Sequence, residues 1–162
     1  MTEDNSGRLI FTNTRIFYSI AKESLAEMDV HFNADRRPKP NNEPGWIITF
    51  DPDQKSFKSA LITIVFCGIF LEAILHLLIV KHNGIEIYKQ YDHKTYEDKL
   101  KLLGCDDETI MKLCEHFRNA RREIVHEKAH LDQKSLRIAQ DEAKKSMELI
   151  DKVVAYFKLD IG

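Results

Sequence analysis

The stretch ALITIVFCGIFLEAILHLLIV, residues 60–80, decides what kind of protein this is. It is long and apolar enough to cross a bilayer as one helix. Glu72 and His76 argue against lipid, because they sit one helical turn apart deep inside the run, where a carboxylate in hydrocarbon would be costly. A helix that is apolar on every side is also what the centre of a water-soluble domain requires. The run is therefore read as a core helix, with no membrane partner.

Working outward, the flanking sequence is punctuated helix. A first helix is predicted over 12–31, with Phe17, Ala21, Ser24 and Met28 on one side. The following NADRRPKPNNEPGW is a loop, since its prolines cannot be carried through a helix interior. WIITF, residues 46–50, is a short extended piece, and Asp51 before Pro52 is the start signal for the core helix. That helix should end at Asn83-Gly84. In IEIYKQYDHKTYEDKLKLLGC a short helix starts at Thr95, with Asp98 as capping-box partner, and stops at Gly104. Asp106 is read as the cap of a third main helix with the apolar stripe Ile110, Leu113, Phe117 and Ile124, broken at Arg121. The last helix opens after Asp132 and carries the heptad-like seam Leu136, Ala139, Ala143, Met147, Ile150, Val154 and Phe157. The expected fold is all-α: an antiparallel four-helix bundle with an extra short helix and a Pro-rich loop after the first helix. Residues 1–162 form one domain, with 1–11 and 33–45 flexible.

Composition narrows the partners. A formal net charge of −2 excludes a broadly basic nucleic-acid-binding surface and confines any such contact to one place. Cys67, Cys105 and Cys114 match neither a zinc pattern nor a disulfide framework. The opening MTEDNSGRLIF does not resemble a signal peptide. A reducing cytoplasm is the expected setting.

The unusual segment is FRNARREIVHEKAH, residues 117–130. On an ideal helix Arg121 falls about 40° from Phe117, inside the apolar stripe, and His126 about 180° from it. A guanidinium cannot shed its proton to escape burial, so an inward Arg121 requires a carboxylate, a phosphate or a wet cleft. Arg118, Arg122, His126 and His130 repeat every four residues as a cationic stripe. Compensation by Glu115, Glu123 and Glu127 would make it a solvated face, but leaves Arg121 unexplained. Asn119, Glu123 and Lys128 are candidates for substrate contact or for plain solvation. Glu72 is the acid inside the core helix and is expected to pair with the inward arginine or its neighbours. A zinc site from His76, Cys114, His126 and His130 is the weaker alternative, lacking the metalloprotease pattern.

RREIVH, with four residues between Arg121 and His126, just ahead of the last helix, resembles the motif of the HEPN superfamily. Arg122 occupies the position where that motif usually carries Asn, Asp or His. The resemblance implies a HEPN-type bundle and a homodimer whose two motifs line one cleft. It further implies a metal-independent endoribonuclease that needs no cofactor and cleaves single-stranded RNA, of the kind found in toxin and defence systems. An antitoxin or nucleotidyltransferase would then be a possible partner. His126 would be the general acid/base and Arg121 the clamp on the phosphate, both catalytic. Arg118, Asn119, Arg122, Lys128 and His130 would contact substrate, supported by Glu72 and Glu123. A catalytically silent HEPN module that binds RNA, a nucleotide or a protein is the alternative.

Overall fold

The structure, a computed structural model, describes residues 2–3, 9–10, 13–34, 36–47, 51, 53–125 and 138–161. They are mostly helical. Six α-helices follow one another: α1 (Thr14–Asn33), α2 (Lys55–Asn83), α3 (Ile85–Tyr91), α4 (Tyr96–Leu102), α5 (Glu108–Ile124) and α6 (Ala139–Tyr156). Two small antiparallel ladders accompany them, β1 (Thr2–Glu3) with β2 (Leu9–Ile10) and β3 (Arg37–Pro38) with β4 (Trp46–Ile47).

The apolar run 60–80 is the hub. α2 touches α1, α3, α4, α5 and α6. Its side chains Ile64, Phe70, Leu71, Leu75 and Ile79 are fully covered, and more than half of its most apolar window is buried within the protein. By length and composition alone α2 could also cross a membrane. Around it, contacts fix directions. Phe17 packs on Phe66, while Thr63 reaches the Ala21 carbonyl, so α1 runs opposite to α2. Tyr18 donates to Asp151 and Lys144 pairs with Asp29, so α1 also runs opposite to α6. The His116–Glu142 pair and the Tyr156 hydroxyl on the Gly104 carbonyl set α5 opposite to α6. Ala21 and Met28 of α1, Ile110 and Phe117 of α5, and Ala143, Met147 and Ile150 of α6 enter one core with α2.

Several element boundaries differ from the sequence reading. α2 begins at Lys55, not directly after Asp51: Gln54 is its N-cap, in a left-handed conformation (φ 53°). Asp51 still serves that helix, because its carboxylate accepts the Ser56 N–H at 2.9 Å. Asp107, not Asp106, caps α5, accepting from the Thr109 and Ile110 N–H groups at 2.7 and 3.1 Å. These backbone hydrogen bonds hold both carboxyls below the usual carboxylate range. The stabilisation they bring is therefore complete above that range and lost as pH falls through the depressed native values. Asp106 instead accepts from the Tyr156 hydroxyl.

The α3 helix was not foreseen. The alternation Ile85-Glu86-Ile87 has no helical period, and the helix exists because Gly84, at φ 86° and ψ 165°, ends α2 and starts α3 in a single residue. The Pro-rich segment read as a loop carries the β3–β4 hairpin, and the extended piece from WIITF is reduced to Trp46–Ile47, with 48–50 outside the described residues. The opening of the last helix after Asp132, and Leu136 in its seam, also lie outside them. Within α6, Ala139, Ala143, Met147 and Ile150 are buried as expected, and Val153 is buried where the seam proposed its neighbour Val154.

Leu75 tests the role of α2. Leu75→Ala should lower unfolding free energy by about 2–5 kcal/mol in urea titrations in detergent-free buffer. A protein that stays dispersed only in detergent would show instead that α2 faces lipid.

Candidate functional site

Two cations penetrate the apolar interior from opposite walls of one cleft. The first is Arg121, on the last turn of α5, inside the stripe set by Ile110 and Phe117. The second is Lys99, which sits on the buried face of α4 between Tyr96 and Leu100 and is 2% exposed. The cleft, about 430 Å³, is bounded by Arg118, Arg121 and Arg122, by Tyr96 and Lys99, by Glu72 of α2, and by the α3–α4 turn 92–95.

Arg121 finds room because of a gap in α2. Gly68 is the one residue without a side chain among the large ones of that helix, and the guanidinium lies across it: a Cβ there would stand 3.0 Å from Nε and 3.1 Å from Cζ. Glycine in a helix interior is unfavourable by about 1 kcal/mol relative to alanine, so a close approach of this kind is a physical reason for its presence. Pressed on α2, the buried Nε has no hydrogen-bond partner among the described residues. The outer edge of the fork is engaged only in part, Nη1 donating to the Tyr96 hydroxyl at 3.2 Å. Burial pushes the Tyr96 phenol above its ordinary pKa, with Arg121 acting in the opposite direction. The phenol therefore remains protonated at neutral pH, and its own hydrogen can be donated into the cleft.

Lys99 is satisfied differently. Its ammonium is bound by the Glu72 carboxylate, whose side chain is 46% exposed at the cleft edge. This corrects the expected pairing: Glu72 shares the cleft with the three arginines, but its ion-pair partner is Lys99. The reason is depth, since an ammonium with almost no solvent contact requires a neighbouring anion more than a half-buried guanidinium that already donates to a phenol hydroxyl. Arg118 is also occupied, with Nε 3.4 Å from Glu97. Asp92 accepts from the Tyr88 hydroxyl at 2.7 Å, which holds its carboxyl below the usual range. Among the described residues Arg121, Arg122 and Lys94 have no carboxylate at ion-pair distance. The cleft is thus left electropositive, in a protein of net charge −2.

The remaining candidates separate. Arg118 and Arg122 line the cleft, Arg122 exposed; Asn119 and Glu123 are half-buried on α5 and do not line it. His126, Lys128 and His130 lie outside the described residues. His76 is stacked flat on Tyr88, ring centroids 3.6 Å apart, and loss of water there pushes its pKa below the ordinary value. Among the described residues no three His, Cys, Asp or Glu side chains form a metal-binding group. All three cysteines are free and buried, and burial raises the Cys67 and Cys114 thiols to about 12. Tyr96, Lys99 and Gly68 were missed by the sequence reading. Two of them left a trace: Lys99 interrupts the apolar face Tyr96, Leu100, Leu103 just as Arg121 interrupts its own stripe, and Gly68 is the one glycine in the core helix.

Comparisons with family models, with curated proteins and with solved structures find no match for this chain.

The Glu72–Lys99 pair is testable by a double-mutant cycle. Glu72→Gln should destabilise by about 1–2 kcal/mol, less than a fully buried pair would lose because Glu72 is half exposed and screened. Adding Lys99→Met should recover part of that loss in urea unfolding. Strictly additive effects would show that the two side chains are not coupled.

Proposed function

We propose that this protein is a HEPN-type, metal-independent endoribonuclease, acting as a homodimer in the cytoplasm in a toxin or defence role. The observation that carries the reading is Arg121. Its guanidinium is fixed across Gly68, lacks a carboxylate partner among the described residues, and opens with Arg122 and Lys94 onto a cleft of nucleotide size. Such a fork suits two phosphate oxygens, and it stabilises charge that builds on phosphorus as a ribose 2′-hydroxyl attacks. The Tyr96 hydroxyl adds a neutral donor on the same side. His126, five residues beyond Arg121, is assigned the proton transfer. The bundle reading is supported by the opposed directions of α1 and α2 and of α5 and α6.

The dimer is supported by a stripe on α2 that its own chain leaves partly open. Ile62 is 40% exposed, and Leu61, Val65 and Ile69 are half-buried, in a line that ends at Glu72 on the cleft rim. A second copy on this stripe would bring two clefts together, with an antitoxin or nucleotidyltransferase as a further partner. A binding module without turnover is the second reading, favoured by the fact that Arg121, Arg122, Lys94 and the Tyr96 hydroxyl can all hold a phosphate without any proton transfer.

Purified protein should cleave single-stranded RNA in the presence of EDTA and leave DNA of the same sequence intact, because only RNA carries the nucleophile. His126→Ala should reduce turnover at least about a hundredfold with RNA affinity largely kept. Arg121→Lys should reduce it about tenfold or more, since a point charge does not reproduce the fork. Gly68→Ala should resemble Arg121→Lys while leaving the fold intact, the gain in helix propensity offsetting the tighter contact. RNA that binds but is never cut, with affinity indifferent to His126→Ala, would overturn the nuclease in favour of the binding module.

A further inference from the structure

The chain has a single tryptophan, Trp46, and it is 53% exposed, away from the core, on the β3–β4 hairpin. Every residue from 36 to 46 is exposed. In the ladder Trp46 faces Pro38, so both project from one side. Arg36, two positions before Pro38, is on that side too, with its guanidinium 5.1 Å from the centre of the indole. The arginine is steadied from behind by donating to the Asn33 side-chain oxygen at 3.1 Å. Across the hairpin the Lys39 stem lies over Gly45, the residue before Trp46, and the Lys39 N–H donates to the Gly45 carbonyl. The Arg36 guanidinium thus lies over the indole, Arg37 and Lys39 add two further cations to the same hairpin, and Glu43 is the only acid between 36 and 47.

Burial does not explain this ring. A large aromatic held out in water on a Pro-containing turn, with a guanidinium on one face and two further cations on the same hairpin, has the chemistry of a stacking platform. The free face can accept a planar base, while the cations meet the phosphates on either side. A lipid surface fits less well, because Trp46 is the only large apolar side chain between 36 and 46 and interfacial binding requires a broader apolar face.

We propose that the β3–β4 hairpin is a separate contact for single-stranded nucleic acid, stacking one base on Trp46 and holding its flanking phosphates with Arg36 and Lys39. The contact does not depend on the Arg121 cleft and would exist in a protein that cleaves nothing.

Because Trp46 is the only tryptophan, the emission of the full chain reports this site alone. Titration with a short single-stranded oligodeoxyadenylate, which has no 2′-hydroxyl, should quench that emission saturably. An abasic strand of equal length should quench it far less. Binding of a labelled strand should weaken on the order of tenfold in Trp46→Ala and recover in Trp46→Phe. Lys39→Gln should lower the slope of log affinity against log salt by about one. Arg121→Ala should leave the quench amplitude unchanged, which separates this contact from the cleft. Absence of quenching, equal quenching by the abasic strand, or stronger quenching by phosphatidylserine vesicles than by the strand would overturn the proposal.

Discussion

A helix that is apolar around its whole circumference must be covered on every side, and α2 imposes that demand on everything else in the chain. The amphipathic helices α1, α5 and α6 each offer one stripe, and each stripe is spent on α2 or on a neighbour that also touches it. Even the short helices α3 and α4 lie against α2 near its C-terminal end. The directions of the helices follow from the same demand, since successive elements must return along α2 to keep covering it.

Where that cover is incomplete, the polar chemistry collects. Gly68 and Glu72 lie one turn apart on α2, and each receives a cation from another helix: Arg121 across the glycine, Lys99 on the carboxylate. In a low-dielectric setting an unpaired charge is expensive, and the two cations meet this in different ways. Lys99, almost without solvent, is neutralised by a carboxylate. Arg121 keeps its charge by spreading it over a plane pressed on Gly68 of α2, with a phenol hydroxyl at one corner. The difference makes the first a structural contact and leaves the second without an anionic partner among the described residues.

The α3–α4 turn closes the cleft opposite α5, so the site is built from three helices, α2, α4 and α5, and one turn, far apart in sequence. Small changes in how α4 rests on α2 therefore act on Arg121 through Tyr96. The hairpin β3–β4 stands apart from this core, held by its own ladder and by the Arg36 stack rather than by burial.

The sequence by itself determined the mostly helical fold, the central place of residues 60–80, the inward turn of Arg121 and the cap at Thr95. These depend on periodicity and on side chains acting on their own backbone within a few residues, which a linear chain already contains. It placed two helix starts slightly wrong, at Asp51 and Asp106, because adjacent acidic or turn-forming residues compete to satisfy the same N–H groups and only the closed loop geometry selects one. It passed over α3, whose seven residues have no apolar period and are helical through a glycine that serves two helices at once. The partner of Glu72 was beyond it altogether. Which cation this half-exposed carboxylate meets depends on how deeply each is carried when the other helices close around α2, and only the tertiary structure decides that Lys99 goes deepest and leaves Arg121 facing the cleft.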